Sequence, residues 1–382
     1  MITGCGAPGI AGTIYSLRNN HDERDIFIIG TDTKDEVVGK YLCDRFYAIP
    51  AANQKAEYTN GLFSVCKNEK IDIVIPQNTS ELITLSGQKE LFASIGTSLL
   101  ISATSALEKA NDKFRLMQIC RECGVPAGDF YLVDSFENLL KCACELGWPD
   151  KKVVIKPPVS NGLRGVRIID ESMDMKKLFY EEKPTSMFIK MENLKIILGT
   201  DFPSLIITEY LPGDEFSVDI LKTNGRIAVV PRKRDIIRSG ITFAGSIEKN
   251  NEIINYSKIL ARKLDLNYCF GFQFKIDPEG VPKILEANPR VQGTMVMSTI
   301  SGANLIYSAV KNLLGEDYPE FNIDWNSKFY RYWGGIGDVR PVKSENRTNM
   351  FSNYRIISVI FTSTASRDNY KRGHFQKQSA YL

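Results

Sequence analysis

Apolar and polar positions alternate on both sides of a turn in residues 271–290. Phe272, Phe274 and Ile276 interleave with Gln273, Lys275 and Asp277. Pro278-Glu279-Gly280 has turn chemistry, and residues 283–288 form a return strand ending in Glu-Ala-Asn-Pro-Arg. A period of two places Glu286 and Asn288 on one face, and pairing across the turn brings Gln273 beside them. The pattern differs in residues 1–105. Short apolar runs at 26–29, 71–75 and 98–102 are separated by helical stretches. Such runs are buried on both faces, which predicts an α/β, Rossmann-like unit with a parallel sheet.

The middle of the chain alternates helix and strand signals. Asn111 or Asp112 can cap a helix carrying Leu116, Ile119 and Cys120, and Ser135 can cap one carrying Leu139, Leu140, Ala143 and Leu146. Residues 151–170 read strand, small-residue loop, strand, with Lys156 ending the first strand. Residues 205–221 read as an apolar strand running into Glu209, Tyr210 and Leu211. It breaks at Pro212-Gly213 and resumes with Glu215, Ser217 and Asp219 on one face. Residues 226–245 place Arg232, Arg234 and Arg238 around a strand end before a glycine-containing loop. Residues 252–264 form an amphipathic helix with Ile253, Tyr256, Leu260 and Leu264 inward.

A length of 382 residues predicts two or three domains, and 43% hydrophobic with 24% charged residues fits a soluble protein with a substantial core. The net charge of +3 does not suggest nucleic acid. Residues 338–382 hold eight Lys/Arg against three Asp/Glu, so the positive balance belongs to the tail, for which the pattern suggests no role. No apolar run approaches the ~20 residues of a membrane span, and no leader pattern opens the sequence. Eight scattered cysteines without zinc spacing read as free thiols in a cytoplasmic protein. Two histidines leave little room for a His-based triad or a His-rich metal site.

Several segments carry candidate chemistry. Glu286, Asn288 and Gln273 supply hard oxygen donors of the kind Mg²⁺ accepts while bridging phosphates. Arg290 can fork onto phosphate or carboxylate oxygens. Lys156 offers a point charge for phosphate. The loop Ser160, Asn161, Gly162, Leu163, Arg164, Gly165 lets backbone N–H groups approach phosphate closely. Glu215 could hold a ribose diol, and peptide groups beside Tyr210 could read an adenine edge. Arg232, Arg234 and Arg238 could hold a carboxylate or acyl phosphate. Gly4, Gly6 and Gly9 form a G-x-G-x-x-G after the first strand, with Asp32 following the second. That fingerprint keeps an NAD(P)-dependent oxidoreductase open as an alternative.

Taken in order, Asp112-Lys113, Val-Ile-Lys156-Pro, the loop 160–165, Thr-Glu209-Tyr-Leu with Glu215, and Gln273 with Glu286-Ala-Asn288-Pro-Arg290 resemble the ATP-grasp superfamily. The likeness is to the synthetase domains of the carbamoyl-phosphate synthase large subunit and to stand-alone carboxylate–amine ligases, and it covers about residues 1–335. It implies a Rossmann-like pre-ATP-grasp domain at 1–105 and an α+β grasp domain at 106–335, with a small lid about 125–208. The tail 336–382 lies outside it. By the resemblance, Lys113 and Lys156 contact ATP phosphates, 160–165 covers them, Glu209 to Leu211 hold adenine and Glu215 the ribose. Glu286 and Asn288, with Gln273, coordinate Mg²⁺, for which Mn²⁺ could substitute, and Arg290 stabilises the transferring phosphoryl group. The run Val-Gln-Gly-Thr after Arg290 departs from the Ser-Arg-Ser-Ser of the synthases, and no amidotransferase segment is present. The expectation is an ATP- and Mg²⁺-dependent ligase joining a small carboxylate to an amine, with loop 76–81 and the three arginines meeting substrate and a homodimer allowed. A non-catalytic ATP-binding or scaffolding protein is the other alternative.

Overall fold

The computed structural model describes residues 1–160, 162–181, 186–223, 225–332, 334–338 and 354–356. The chain divides into two compact units, Met1–Tyr332 and Trp333–Leu382. In the second, Ile336–Asp338 pairs antiparallel with Tyr354–Ile356.

In the first unit the apolar runs near the N-terminus form parallel strands. β1 (Ile29–Asp32) pairs with β2 (Arg45–Ala48), and β3 (Ile73–Val74) pairs with β4 (Ser98–Leu99). Ile2 bridges Gly30 on one side and Ile75 on the other, both in parallel. The spatial order is therefore β2, β1, Ile2, β3, β4. The order reverses at the first strand, and such a switch point opens a crevice at the C-terminal strand ends. Ile2, Ile28, Ile29, Val74 and Ile75 are buried, as their unbroken apolar runs require.

A five-stranded sheet follows, built from β5 (Phe130–Ser135), β6 (Val153–Lys156), β7 (Arg167–Ile169), β8 (Phe188–Ile189) and β9 (Asp201–Glu209) in the order β5-β9-β6-β7-β8. The helices Phe136–Glu145 and Met191–Leu198 bury Leu139, Ala143, Met191 and Leu194 against Val153, Ile155, Ile169 and Ile207. Ser135 caps the first of them, its Oγ accepting from Asn138 N at 3.4 Å.

The larger sheet is antiparallel. It comprises β10 (Glu215–Lys222), β11 (Ile227–Arg238), β12 (Ile241–Ile247), β13 (Tyr268–Ile276), β14 (Pro282–Asn288) and β15 (Lys328–Tyr330), in the order β14-β13-β10-β11-β12-β15. One face presents Phe216, Val218, Ile220, Phe270, Phe272, Phe274 and Ile284 to the helices Lys113–Glu122 and Asn251–Lys263. Burying each such side chain contributes about 1.5–3 kcal/mol. Asp112 caps the first helix through Phe114 N and Arg115 N, and Asn250 caps the second through Ile253 N. With its apolar side facing the helices, the sheet turns its polar alternate positions the other way. β11 continues to Arg238 and does not end near Arg232, so the three arginines alternate along a strand and its irregular end.

Candidate active site

The register of the larger sheet arranges its polar face in rows. Gln273 pairs with Glu286 on one side and Ser217 on the other, and Ser217 pairs with Arg232. One row therefore reads Glu286, Gln273, Ser217, Arg232. The next reads Asn288, Gly271, Asp219, since Gly271 pairs with both Asn288 and Asp219. Paired residues share a face, so Glu286, Asn288 and Gln273 come together. Asn288 Nδ2 donates to Glu286 Oε1 at 3.2 Å. Its own amide oxygen and that of Gln273 complete a set of one carboxylate and two amide oxygens. That set fits Mg²⁺, which takes one or two protein carboxylates and completes its shell with phosphate and water oxygens. No cluster of three or more His, Cys, Asp or Glu side chains suited to a metal occurs among the described residues.

Three cations surround Glu286. Lys113 opens its helix, is buried, and lies 3.6 Å from Glu286 Oε2; its Nζ also donates to Ser160 O at 2.9 Å. Lys156 is buried at the end of β6 and donates to Leu285 O at 3.4 Å. Burial, then the neighbouring Lys113 charge, lowers the Lys156 pKa to about 8, against the pull of Glu286. Burial likewise lowers the Arg290 guanidinium, with Glu286 and Glu81 opposing. Arg290 Nε donates to Thr79 Oγ1 at 3.2 Å and Nη1 to Val291 O at 2.9 Å. Three enclosed positive charges against the two carboxylates Glu286 and Glu81 leave a local excess that a polyanion would satisfy.

Around this cluster, Gly162 and Gly165 of the loop adopt left-handed backbone conformations, φ 64° and 75°. Leu163 does the same at 62°, a strained choice for a leucine. Ser160 holds Lys113 through its carbonyl, and Asn161 lies outside the described residues. Glu209 ends β9 and accepts from Lys283 Nζ at 2.8 Å and Asp129 N at 3.1 Å. The Nζ atoms of Lys152 and Lys275 lie over the Tyr210 ring, 5.7 and 5.3 Å from its centroid, and Leu211 is buried. Glu215 accepts from Arg234 Nη1.

The three arginines have separate environments. Arg232 is wholly buried. Its Nε lies 2.7 Å from Asp219 Oδ2, and its Nη2 donates to Asp219 Oδ1 at 2.8 Å and Gln292 Oε1 at 3.1 Å. Ser298 Oγ donates to Asp219 Oδ2 at 2.6 Å, which leaves this pair inside a closed polar network. Arg234 is held by Glu215, Thr242 Oγ1 and Gly240 O. Arg238 is exposed and stacks over Phe243, its Cζ 5.0 Å from the centroid. The glycine fingerprint also has neighbours. A Cβ on Gly9 would stand 2.6 Å from Gly293 Cα, so the turn is packed against the segment after Arg290. Asp32 accepts from Gly6 N at 2.7 Å.

Sequence reasoning passed over Lys283 and Gln292, and it named Thr79 only as part of the loop 76–81. Lys283 is three residues from Glu286, which on a regular strand means opposite faces. A bulge lets Gln273 pair with Glu286 while Phe274 pairs with Ile284, and Lys283 returns to the polar face. Gln292 Nε2 donates to Val218 O at 2.9 Å across Gly271, where a Cβ would sit 1.3 Å from that nitrogen. Only the glycine in the middle of β13 hinted at such an approach.

Comparison with known proteins bears on both sheets. A family model described as the ATP-grasp in the biosynthetic pathway with Ter operon matches residues 201–329, and one for the PylC-like N-terminal domain matches 1–100. The carbamoyl phosphate synthase large chain of Clostridium acetobutylicum is 23% identical over 274 residues, 69% of this chain and 24% of that protein. The chain thus spans about a quarter of that relative's length. The fold is shared with N5-carboxyaminoimidazole synthetase from Staphylococcus aureus complexed with ADP, at a TM-score of 0.61 and 15% identity, covering 86% of this chain and 79% of that one. It is also shared with the biotin carboxylase–β-γ-ATP complex from Campylobacter jejuni, at 0.62 and 16% identity over 84% and 71%. Among the described residues no helix is long and apolar enough to cross a membrane.

Proposed function

Because the chain belongs to the ATP-grasp superfamily, we propose that it is an ATP- and Mg²⁺-dependent ligase that activates a carboxylate as an acyl phosphate for attack by an amine. The observation that carries this reading is the cluster of Lys113, Lys156 and Arg290 around Glu286. Those cations suit the phosphates of ATP. Lys113 and Lys156 take the phosphate chain, and Arg290 faces the transferred phosphoryl group. Glu209 to Leu211 line the adenine position. Glu215 takes the ribose once it exchanges its contact with Arg234 for the diol.

A carboxylate is a poor electrophile. Its oxygen attacks the γ-phosphorus, the bond to the bridging oxygen breaks, and ADP leaves. The amine then attacks the acyl carbon, a C–N bond forms, and phosphate departs with the electron pair of the C–O bond. The ammonium proton passes to solvent or to a neighbouring carboxylate. Such transfers need positioning and charge neutralisation above all. Glu286 and Asn288, with Gln273 beside them, would hold Mg²⁺ (or Mn²⁺), which would supply charge to neutralise the phosphates. The loop 160–165 would cover the acyl phosphate and keep water from it.

The test is release of ADP and phosphate over a panel of acids and amines. Glu286→Ala and Lys156→Ala should each lower kcat/KM by more than ~30-fold, the equivalent of ~2 kcal/mol. Turnover that survived both substitutions would refute the site.

A further inference from the structure

A cavity lies at the C-terminal ends of the parallel strands, where the strand order reverses. Its volume is about 460 Å³, within the range of small-molecule sites. Asp32 and Glu81 both face it, with Asn78 and Ser80 at the start of the helix Thr79–Ser86 and Tyr58 opposite. Glu81 is almost wholly buried. Its carboxylate accepts from the neutral donors Thr3 Oγ1 and Asn78 Nδ2, the latter at 3.3 Å. Asp32 is likewise served by Gly6 N, Lys34 N and Thr33 Oγ1. Among the described residues neither carboxylate has an ion-pair partner within 4.0 Å. The Tyr58 hydroxyl is buried on the same wall, beside Thr3 and Glu81. A buried carboxylate with no cation in direct contact, next to a second carboxylate, is costly to hold. A ligand that supplies positive charge and hydrogen-bonding groups removes that cost.

The cavity adjoins the phosphate clamp. Thr79, between two of its lining residues, accepts from Arg290 Nε at 3.2 Å, and Arg290 senses the charge of Glu81. We propose that this cavity admits the second substrate and that this substrate carries an ammonium group held between Asp32 and Glu81. The inference rests on the ligase reading and names the class of the acceptor as a free amine or amino acid. An anionic acceptor would meet two carboxylates there and be repelled.

Thermal-shift and calorimetric titrations without ATP test it, using 1,4-diaminobutane, L-alanine and 4-aminobutyrate against 1,4-butanediol, lactate and succinate. At least one ammonium compound should protect the protein while its oxygen counterpart does not. Glu81→Gln should weaken that binding by tenfold or more. Glu81 is buried, so Ser80→Lys, at an exposed position, serves as a second variant: the new ammonium should occupy the cavity and block the ligand. ATP binding should be unchanged in Ser80→Lys. Protection by none of the ammonium compounds, or protection that both variants leave intact, overturns the inference. ATP binding without amine binding refutes this proposal alone. Amine binding without ATP-dependent turnover refutes the ligase reading instead.

Discussion

Arg232 offers a direct separation of scaffold from substrate chemistry. Replacing it by Met removes a guanidinium that is fully enclosed and leaves Asp219, also fully enclosed, without its counter-ion. Removing one partner of a buried ion pair costs ~3–5 kcal/mol, because the remaining charge stays desolvated. Gln292 Oε1 also loses its donor, adding about 1 kcal/mol. In a domain of this size the sum lowers the unfolding midpoint by on the order of 10 °C. Asp219→Asn combined with Arg232→Met should recover part of the loss, since the orphaned charge is gone and Ser298 can still donate to the amide oxygen. The assay is urea and thermal unfolding of the four proteins of the cycle. A substrate-binding arginine would give another result: near-normal stability in Arg232→Met and a raised KM. A loss below ~1 kcal/mol, or a double variant worse than the sum of the singles, would refute the reasoning.

Three further outcomes follow from named contacts. Lys156, with its pKa lowered to about 8, is charged below that pH, so ATP affinity should fall as pH rises through about 8, and Lys156→Met should flatten that part of the curve in nucleotide titrations. The sign for stability is opposite: between about 8 and the ordinary lysine value of roughly 10.4 the unfolded chain binds the extra proton, so this group makes stability rise with pH in that window. Gly271→Ala drives a methyl into the Gln292 amide and should cost more than ~2 kcal/mol in unfolding, whereas Gly280→Ala, which meets no atom within 4 Å, should lose only what its left-handed turn imposes, about 1 kcal/mol. Asp112→Ala removes the cap that starts the helix of Lys113 and should cost ~1 kcal/mol, with weaker nucleotide binding as Lys113 loses its fixed position.

Much of this molecule was legible in one dimension because its periodicities are local. Alternation along 271–290 determined which side chains of β13 and β14 face the core, and apolar runs near the N-terminus determined a parallel sheet. Asp112 and Ser135 marked helix starts because a side-chain oxygen three residues from an N–H can cap it wherever the chain goes next. The order of lysine, glycine loop, acidic strand ends and Glu-Ala-Asn-Pro-Arg pointed to one family. Other features depended on contacts between distant segments. The bulge that turns Lys283 toward Glu209 is a property of pairing between two strands. Arg232 and Arg234 look alike in sequence, yet Asp219, Gln292 and Ser298 enclose the first while Glu215 and a hairpin carbonyl hold the second. The glycine fingerprint reads as a nucleotide turn until Gly293 is found against Gly9. Charge and burial are sums over space: only the fold brings Lys113, Lys156 and Arg290, far apart along the chain, to a single carboxylate, and Arg290 to the edge of the cavity that holds Glu81.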